Sequence, residues 1–291
     1  MVEYDARRWL GILFRLHGAV LPRLLVRIAL LAAVGALAAL LFEQRGIYVP
    51  PLGHTLVGVA LGLLLVFRTN TAYDRYWEGR RQFATLVHRS RDFARQVASY
   101  IADPADRAEL VRHLQLAFAL IRQHVRRDDD LGALGALATT AERAALRAVG
   151  CRPNLALRWI SDRLAERANV QQLVEGRLRM LDQHLSAYAE CLAAIERIAT
   201  TPMPFAYAHH LKAFLVLFCL SVPFALSPAM GWYTPLAAAI VGFALFGIDE
   251  IGVEIEDPFG RDANDLPLDA LGELVNRDTA ELLTAPVSTS S

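Results

Sequence analysis

Three groups of residues in this 291-residue chain have the types and spacing to act on ions. In the uncharged run Leu52–Phe67, the side chains Val59, Leu63 and Phe67 recur every four positions, so on a helix they stand one above another on a slowly drifting stripe. Repeated around an axis by several copies, such a stripe makes a narrow apolar constriction that resists hydrated ions by dewetting. Any spanning helix carries apolar residues at that interval, so the spacing alone leaves contact with lipid or with another helix open. Gly58 and Gly62, four apart on the adjacent face, allow a neighbouring helix to come close.

The second group is acidic. Asp249, Glu250, Glu254, Glu256, Asp257, Asp262 and Asp265 surround Gly260. Clustered carboxylates in a loop bent by glycine are what calcium needs for its roughly six to eight oxygen ligands. The segment does not follow EF-hand spacing, and Arg261 and Ala263 dilute the charge, so the competing reading is an acidic capping loop paired with arginines. The third group dissolves on inspection. Adjacent His209 and His210 on a helix point about 100° apart and share no metal, and Asp128–Asp130 is a loop triplet without flanking ligand spacing. No nucleophile elbow, phosphate-binding loop, dinucleotide glycine pattern or zinc HExxH motif is present, so neither catalytic residues nor an organic cofactor are expected.

These residues must be positioned by membrane-spanning helices. The apolar fraction of 54% and mean hydropathy of +0.30 exceed what soluble domains carry, and the excess is confined to Leu24–Phe67 and Ala213–Ile248. A bilayer core needs roughly 17–25 apolar helical residues. Leu24–Phe42, Leu52–Phe67, Ala213–Leu226 and Pro235–Ile248 therefore read as four spans, with turns at Glu43–Pro51 and Ser227–Tyr233. Leu24–Phe42 is expected to be a retained span and not a cleaved signal, because its apolar run continues past the small-residue site Ala36-Leu37-Ala38. Between the pairs of spans the pattern is amphipathic and helical, with Phe83, Leu86 and Val87, then Leu110, Leu114, Ala117, Phe118 and Ile121, on the buried faces. The chain thus divides into a 1–23 N-terminal segment, spans one and two with an extension over 24–81, a helical region over 82–204, spans three and four over 205–248, and an acidic loop, helix and tail over 249–291. The tail after Leu283 is expected to be disordered. Arg45 is the only basic residue in the two turns, whereas Arg23, Arg27, Arg68 and Arg75 flank the other side, which puts both termini and the polar middle in the cytoplasm. The net charge of +0 gives no warrant for nucleic-acid binding, and three widely spaced cysteines predict reduced thiols.

Taken together, three segments resemble the bestrophin family, including its bacterial members: Phe67 eight residues before Arg75-Tyr76-Trp77; Thr201-Pro202-Met203-Pro204-Phe205-Ala206-Tyr207; and Ile255-Glu256-Asp257-Pro258-Phe259-Gly260 followed by Asn264-Asp265-Leu266-Pro267-Leu268-Asp269. The resemblance implies an all-α membrane protein of four transmembrane helices and a helical cytoplasmic region, assembled as a homopentamer around a central pore. By distance from Phe67 it implies a hydrophobic neck of Val59, Leu63 and Phe67. In animal members the acidic loop is a calcium clasp, and Asp262 and Asp265 fall on its side-chain ligand positions. Arg261, Ala263 and Asn264 interrupt that acid run here and count against calcium gating. Leu63 stands where animal members carry an aromatic residue, which leaves anion preference over cations open. The resulting expectation is an inner-membrane channel for small monovalent ions, chloride or other anions first, whose partners are its own copies, membrane lipid and small inorganic ions. The alternatives are a cation-selective channel of the same architecture and a membrane-anchored scaffold or signalling protein.

Overall fold

A computed structural model describes residues 5, 7–15, 17–170 and 173–284. Among these residues ten α-helices follow in order: α1 Trp9–Leu13, α2 Leu21–Arg45, α3 Pro51–Tyr100, α4 Pro104–Arg126, α5 Thr140–Arg147, α6 Arg152–Asn169, α7 Glu175–Thr200, α8 Phe205–Met230, α9 Thr234–Glu256 and α10 Leu268–Thr284. Two short 3-10 turns, Leu131–Leu137 and Gly231–Tyr233, complete the secondary structure, and no strand occurs among the described residues. Residues 285–291, where the sequence predicts a disordered tail, lie outside the described residues. The chain falls into two compact units, one of residues 1–77 and 202–265, the other of residues 78–201 and 266–291.

The first unit holds the apolar helices. Three helical stretches, Leu21–Arg45, Pro51–Tyr100 and Phe205–Glu256, are long and apolar enough to cross a membrane. The third is 52 residues long, about 78 Å at 1.5 Å per residue, and is broken by the turn at Gly231–Tyr233. Gly231 takes φ 51 there, a conformation that side chains with a Cβ disfavour, and α8 and α9 fold back on each other. Two crossings result, four in all. The turn is shorter than the sequence suggests, because α8 runs on through Ser227 and Pro228 to Met230. Ser227 gives its hydroxyl back to the Phe224 carbonyl at 3.2 Å, a bond that lets serine sit inside a helix. Prolines open α2, α3 and α9, where a missing N–H costs nothing. Gly46, at φ 64, ends α2.

Small residues bring these helices together, as packing in lipid requires. A Cβ on Gly35 of α2 would lie 2.8 Å from the Pro235 backbone of α9, and one on Gly242 of α9 would lie 2.6 Å from Leu31. Around these approaches Leu24, Leu31, Leu61, Leu65, Leu211, Leu215, Cys219, Ala238 and Phe246 form one core.

The second unit is a helical bundle around α4. Leu110, Leu114, Ala117, Phe118 and Ile121, together with Phe83, Leu86 and Val87 of α3, are all buried, and Phe83 meets Phe118 edge-on with centroids 6.0 Å apart. Asp106, buried in α4, is held by Arg163 at 2.7 Å and Arg167 at 2.5 Å. Asp103 caps α4 through the Ala105 N–H at 3.0 Å. A capping box of Thr139 and Glu142 starts α5, and hydrogen bonds from Arg112, Thr139 and His113 hold the Glu142 carboxyl well below the usual range against the opposing effect of burial. Arg91–Asp278 at 2.6 Å and Arg126–Asp269 at 2.9 Å fasten α10. The Asp128–Asp130 triplet is a turn: Asp130 accepts from Gly132 N at 2.8 Å and Asp129 pairs with Arg152 at 2.8 Å. The three cysteines are free.

Candidate functional site

The apolar half of α3 carries the candidate site. Its period of about 3.6 residues puts Leu61 and Leu65 on one face and Val59, Leu63 and Phe67 on another. Leu61 and Leu65 are 0% and 1% exposed in the core, whereas Val59, Leu63 and Phe67 are 61%, 55% and 61% exposed. Leu52 and Leu56 lie further along the exposed side. The same stripe continues below Phe67 into Asn70 and Asp74, both exposed. Gly58 lies against Phe218 of α8 in the same chain, where a Cβ would come within 3.2 Å, and Gly62 has no neighbour within 4 Å. Within the chain, then, the small-residue pair gives one close approach, to α8.

Charged and polar contacts fix the base of the stripe. Arg68, one residue after Phe67, is 2% exposed and Asp249 of α9 is 5% exposed. The Arg68 guanidinium binds the Asp249 carboxylate directly, reaches the Asp249 carbonyl at 3.3 Å, and has Glu256 at 3.8 Å. Arg75 Nε donates to the Glu256 carbonyl at 3.3 Å. Glu256 Oε1 accepts from the Met203 backbone at 3.0 Å, and the Tyr207 hydroxyl donates to the Leu64 carbonyl at 3.3 Å. The three sequence segments that carry the family resemblance thus meet at one place, the lower end of the exposed stripe. The sequence places Arg68 among the flanking arginines and Asp249 in the acidic group, but does not pair them. The signal for them was two opposite charges at the same-side ends of spans two and four.

The acidic loop after α9 is closed on itself. Asp265, 5% exposed, accepts the Asp262 N–H at 2.6 Å and sits so close to Gly260 that a Cβ there would be 2.6 Å from its Oδ2. Burial pushes the Asp265 carboxyl up to about 6; the Asp262 backbone hydrogen bond opposes this, and Asp262, Asp257 and Glu254 add to it. The Asp262 side chain is 63% exposed and points towards Arg23 at 3.9 Å. Asn264 donates to Gly18 O at 2.9 Å and to Glu254 at 3.2 Å. Asp262 and Asp265 are neighbours, and among the described residues no group of three or more His, Cys, Asp or Glu is arranged so that it could hold a metal ion. The Asp265 carboxylate accepts a backbone N–H and the Asp262 carboxylate faces a guanidinium. His209 and His210 stack on separate rings, Phe205 at 5.6 Å and Phe214 at 6.1 Å.

Comparison with known proteins adds to this geometry. The profile of a family described as bacterial/fungal bestrophin protein matches residues 1–281. A protein of Nostoc named a voltage-dependent anion channel-forming protein is 38% identical over 95% of this chain and 92% of its own length. One of Synechocystis with the same description is 34% identical over 96% and 93%, and one of Escherichia coli K12 is 32% identical over 97% and 94%. The crystal structure of a bacterial bestrophin homologue from Klebsiella pneumoniae superposes with a TM-score of 0.85 at 27% identity, covering 92% of this chain and 100% of that one.

Proposed function

Since this chain belongs to the bacterial and fungal bestrophin family, we propose that it forms a homopentameric channel passing small monovalent anions, chloride among them, through a neck of Val59, Leu63 and Phe67. It is a membrane protein of a channel family and not an enzyme. The observation that carries the reading is the exposed stripe of α3 on the least covered span. The most apolar window of α3 is 17% buried, against 28% for α2 and 33% for the α8–α9 stretch. A helix with so little cover in its own chain suits a place at the axis of a ring, where copies of it cover one another. The stripe also runs without a break into Asn70 and Asp74, side chains that suit a water-filled path and not lipid.

A ring of Val59, Leu63 and Phe67 offers ions no charge, so it limits passage by excluding water. Sign preference must come from elsewhere. The positive end of the α3 dipole, at Pro51, opens at the outer mouth and favours anions there, and the names of the Nostoc, Synechocystis and E. coli relatives point the same way. Both termini and the second unit lie in the cytoplasm of an inner-membrane protein in this reading, because arginines crowd that side of the spans. In this reading the channel works without calcium in the loop around Asp262 and Asp265, since Asp265 is tied to the backbone and Asp262 faces Arg23.

Reconstitution in liposomes tests the reading. Under a potassium chloride gradient the reversal potential is expected near the chloride equilibrium value, and the detergent-solubilised particle is expected at about 160 kDa, five times the 32.1 kDa chain. A reversal potential at the potassium value, or the mass of a monomer or dimer, would overturn it.

A further inference from the structure

We propose that the groove between α2 and α8 is a binding site for an anionic phospholipid, its headgroup phosphate held by Lys212 and Arg27 and one acyl chain laid along the groove. A cavity of about 340 Å³ opens there, lined by Leu30 and Leu31 of α2, Leu215, Val216 and Leu220 of α8, and Phe246 of α9. Its charged end carries Arg27, Lys212 and Asp249. The three charges are not equivalent. Asp249 is taken by buried Arg68, and Arg27 pairs with Glu250 at 2.8 Å while remaining half-exposed. Lys212, the chain's only lysine, is exposed and makes no ion pair among the described residues. It stands about 10 Å inside α8, at 1.5 Å per residue from Phe205. Arg27 stands about 9 Å inside α2, counted from Leu21. Both helices start on the same side of the membrane, so the two cations sit at one depth, where headgroups meet acyl chains.

An ammonium at that depth is costly unless it is paired or reaches the interface. A phosphate would supply the missing charge. Beyond it, Val216 and Leu220 continue Lys212 along one face of α8 in four-residue steps, about 12 Å in all. Leu30 and Leu31 continue Arg27 on α2 in the same way. A phosphate-binding end with an apolar body attached fits a phospholipid, whereas a free anion would use the cations alone. Basic pockets between transmembrane helices on the cytoplasmic side bind acidic headgroups by this logic.

Native mass spectrometry of the full-length protein in detergent tests the site, with phosphatidylglycerol, phosphatidylcholine and soluble glycerol 3-phosphate as probes. Phosphatidylglycerol is expected to stay bound in preference to phosphatidylcholine, and Lys212→Ala is expected to weaken it about fivefold, as one basic side chain near a charged headgroup is worth. Lys212→Arg should restore it, and Arg45→Gln, at the other end of α2, should leave it unchanged. Val216→Trp, which fills the groove and keeps the lysine, should also lose the lipid and covers the case in which Lys212→Ala fails to fold. Equal retention of the two lipids, or loss in neither groove variant, would overturn the site. So would glycerol 3-phosphate binding as tightly as the lipid, which would mark a free-anion site, or a change in assembly mass alone, which would mark a contact between copies.

Discussion

Removing Asp249 should leave Arg68 charged in a site that is almost sealed. Arg68 is 2% exposed and Asp249 5%, and stripping one partner from a buried pair costs about 3–5 kcal/mol, because the remaining charge loses its counter-ion and does not regain water. Two contacts soften the loss: the Asp249 carbonyl at 3.3 Å survives in Asp249→Ala, and Glu256 lies 3.8 Å away. The expected cost is therefore at the lower end, about 3 kcal/mol. Replacing both groups by apolar residues, Arg68→Met with Asp249→Leu, removes the stranded charge and should cost about 1 kcal/mol or less. Unfolding free energies from SDS titration in mixed micelles, with Arg68→Met and Asp249→Leu also made singly, give the complete double-mutant cycle, with an expected coupling of at least about 2 kcal/mol. A cost below about 1 kcal/mol for Asp249→Ala, or a double variant as damaged as the sum of the singles, would refute the pairing as the anchor of α3.

Replacing Val59, Leu63 and Phe67 together by Ala should raise single-channel conductance, since a wider ring lowers the dewetting barrier; Leu64→Ala and Leu65→Ala should disturb packing and not permeation, and equal sensitivity would place the neck on another face. Asp265→Asn should remove a pH dependence. The carboxyl rises from 3.8 to about 6 on folding, so its stabilising neutral form is fully present below 3.8 and is lost as pH climbs through 6. Wild type should thus lose roughly 3 kcal/mol over that interval, at about 1.4 kcal/mol per pKa unit, while the asparagine variant stays flat in pH-resolved melting and is the more stable at pH 8. Gly35→Ala should destabilise by about 1–3 kcal/mol, because its Cβ would meet backbone that cannot swing away. Gly53→Ala, open on all sides within the chain, should be neutral or slightly stabilising in the same thermal assay.

The spans were legible because lipid imposes one rule, satisfied backbone and an apolar surface, that shows in single residues. The buried faces of α3 and α4 were legible for a similar reason: Phe83, Leu86, Leu110 and Leu114 repeat at helical intervals and all four are buried. Ser227 and Pro228 misled because both break helices in water. Between apolar helices a serine hydroxyl can only turn to its own backbone, and the helix goes on. The Arg68–Asp249 pair was not legible, since 181 residues separate the partners and nothing local marks either as buried. Arg68 reads as the polar end of a span. Asp262 and Asp265 illustrate a different limit: composition counts carboxylates, but whether they converge depends on loop closure, here by the Asp262 N–H and the lack of a Cβ at Gly260.

In the proposed channel, the placement of the anchors bears on how the neck would be controlled. Beyond the core packing of Leu61 and Leu65, contacts outside its apolar face hold α3 against rotation about its own axis, and a rotation of about 100°, one residue's worth, would exchange Leu63 for Leu64 on the stripe. Arg68 and Arg75 supply that hold, both onto α9, seven residues apart on one side of α3, and Tyr207 adds a third point from α8 at Leu64. All three lie at or beyond Leu64, so the lower end of the stripe is pinned more firmly than the upper end. At the upper end the polar contact is His54 with Ser221 at 2.9 Å, a single hydrogen bond worth about 1 kcal/mol. The difference in strength predicts an order of yielding in the proposed neck: Val59, nearer the weaker anchor, should shift before Phe67.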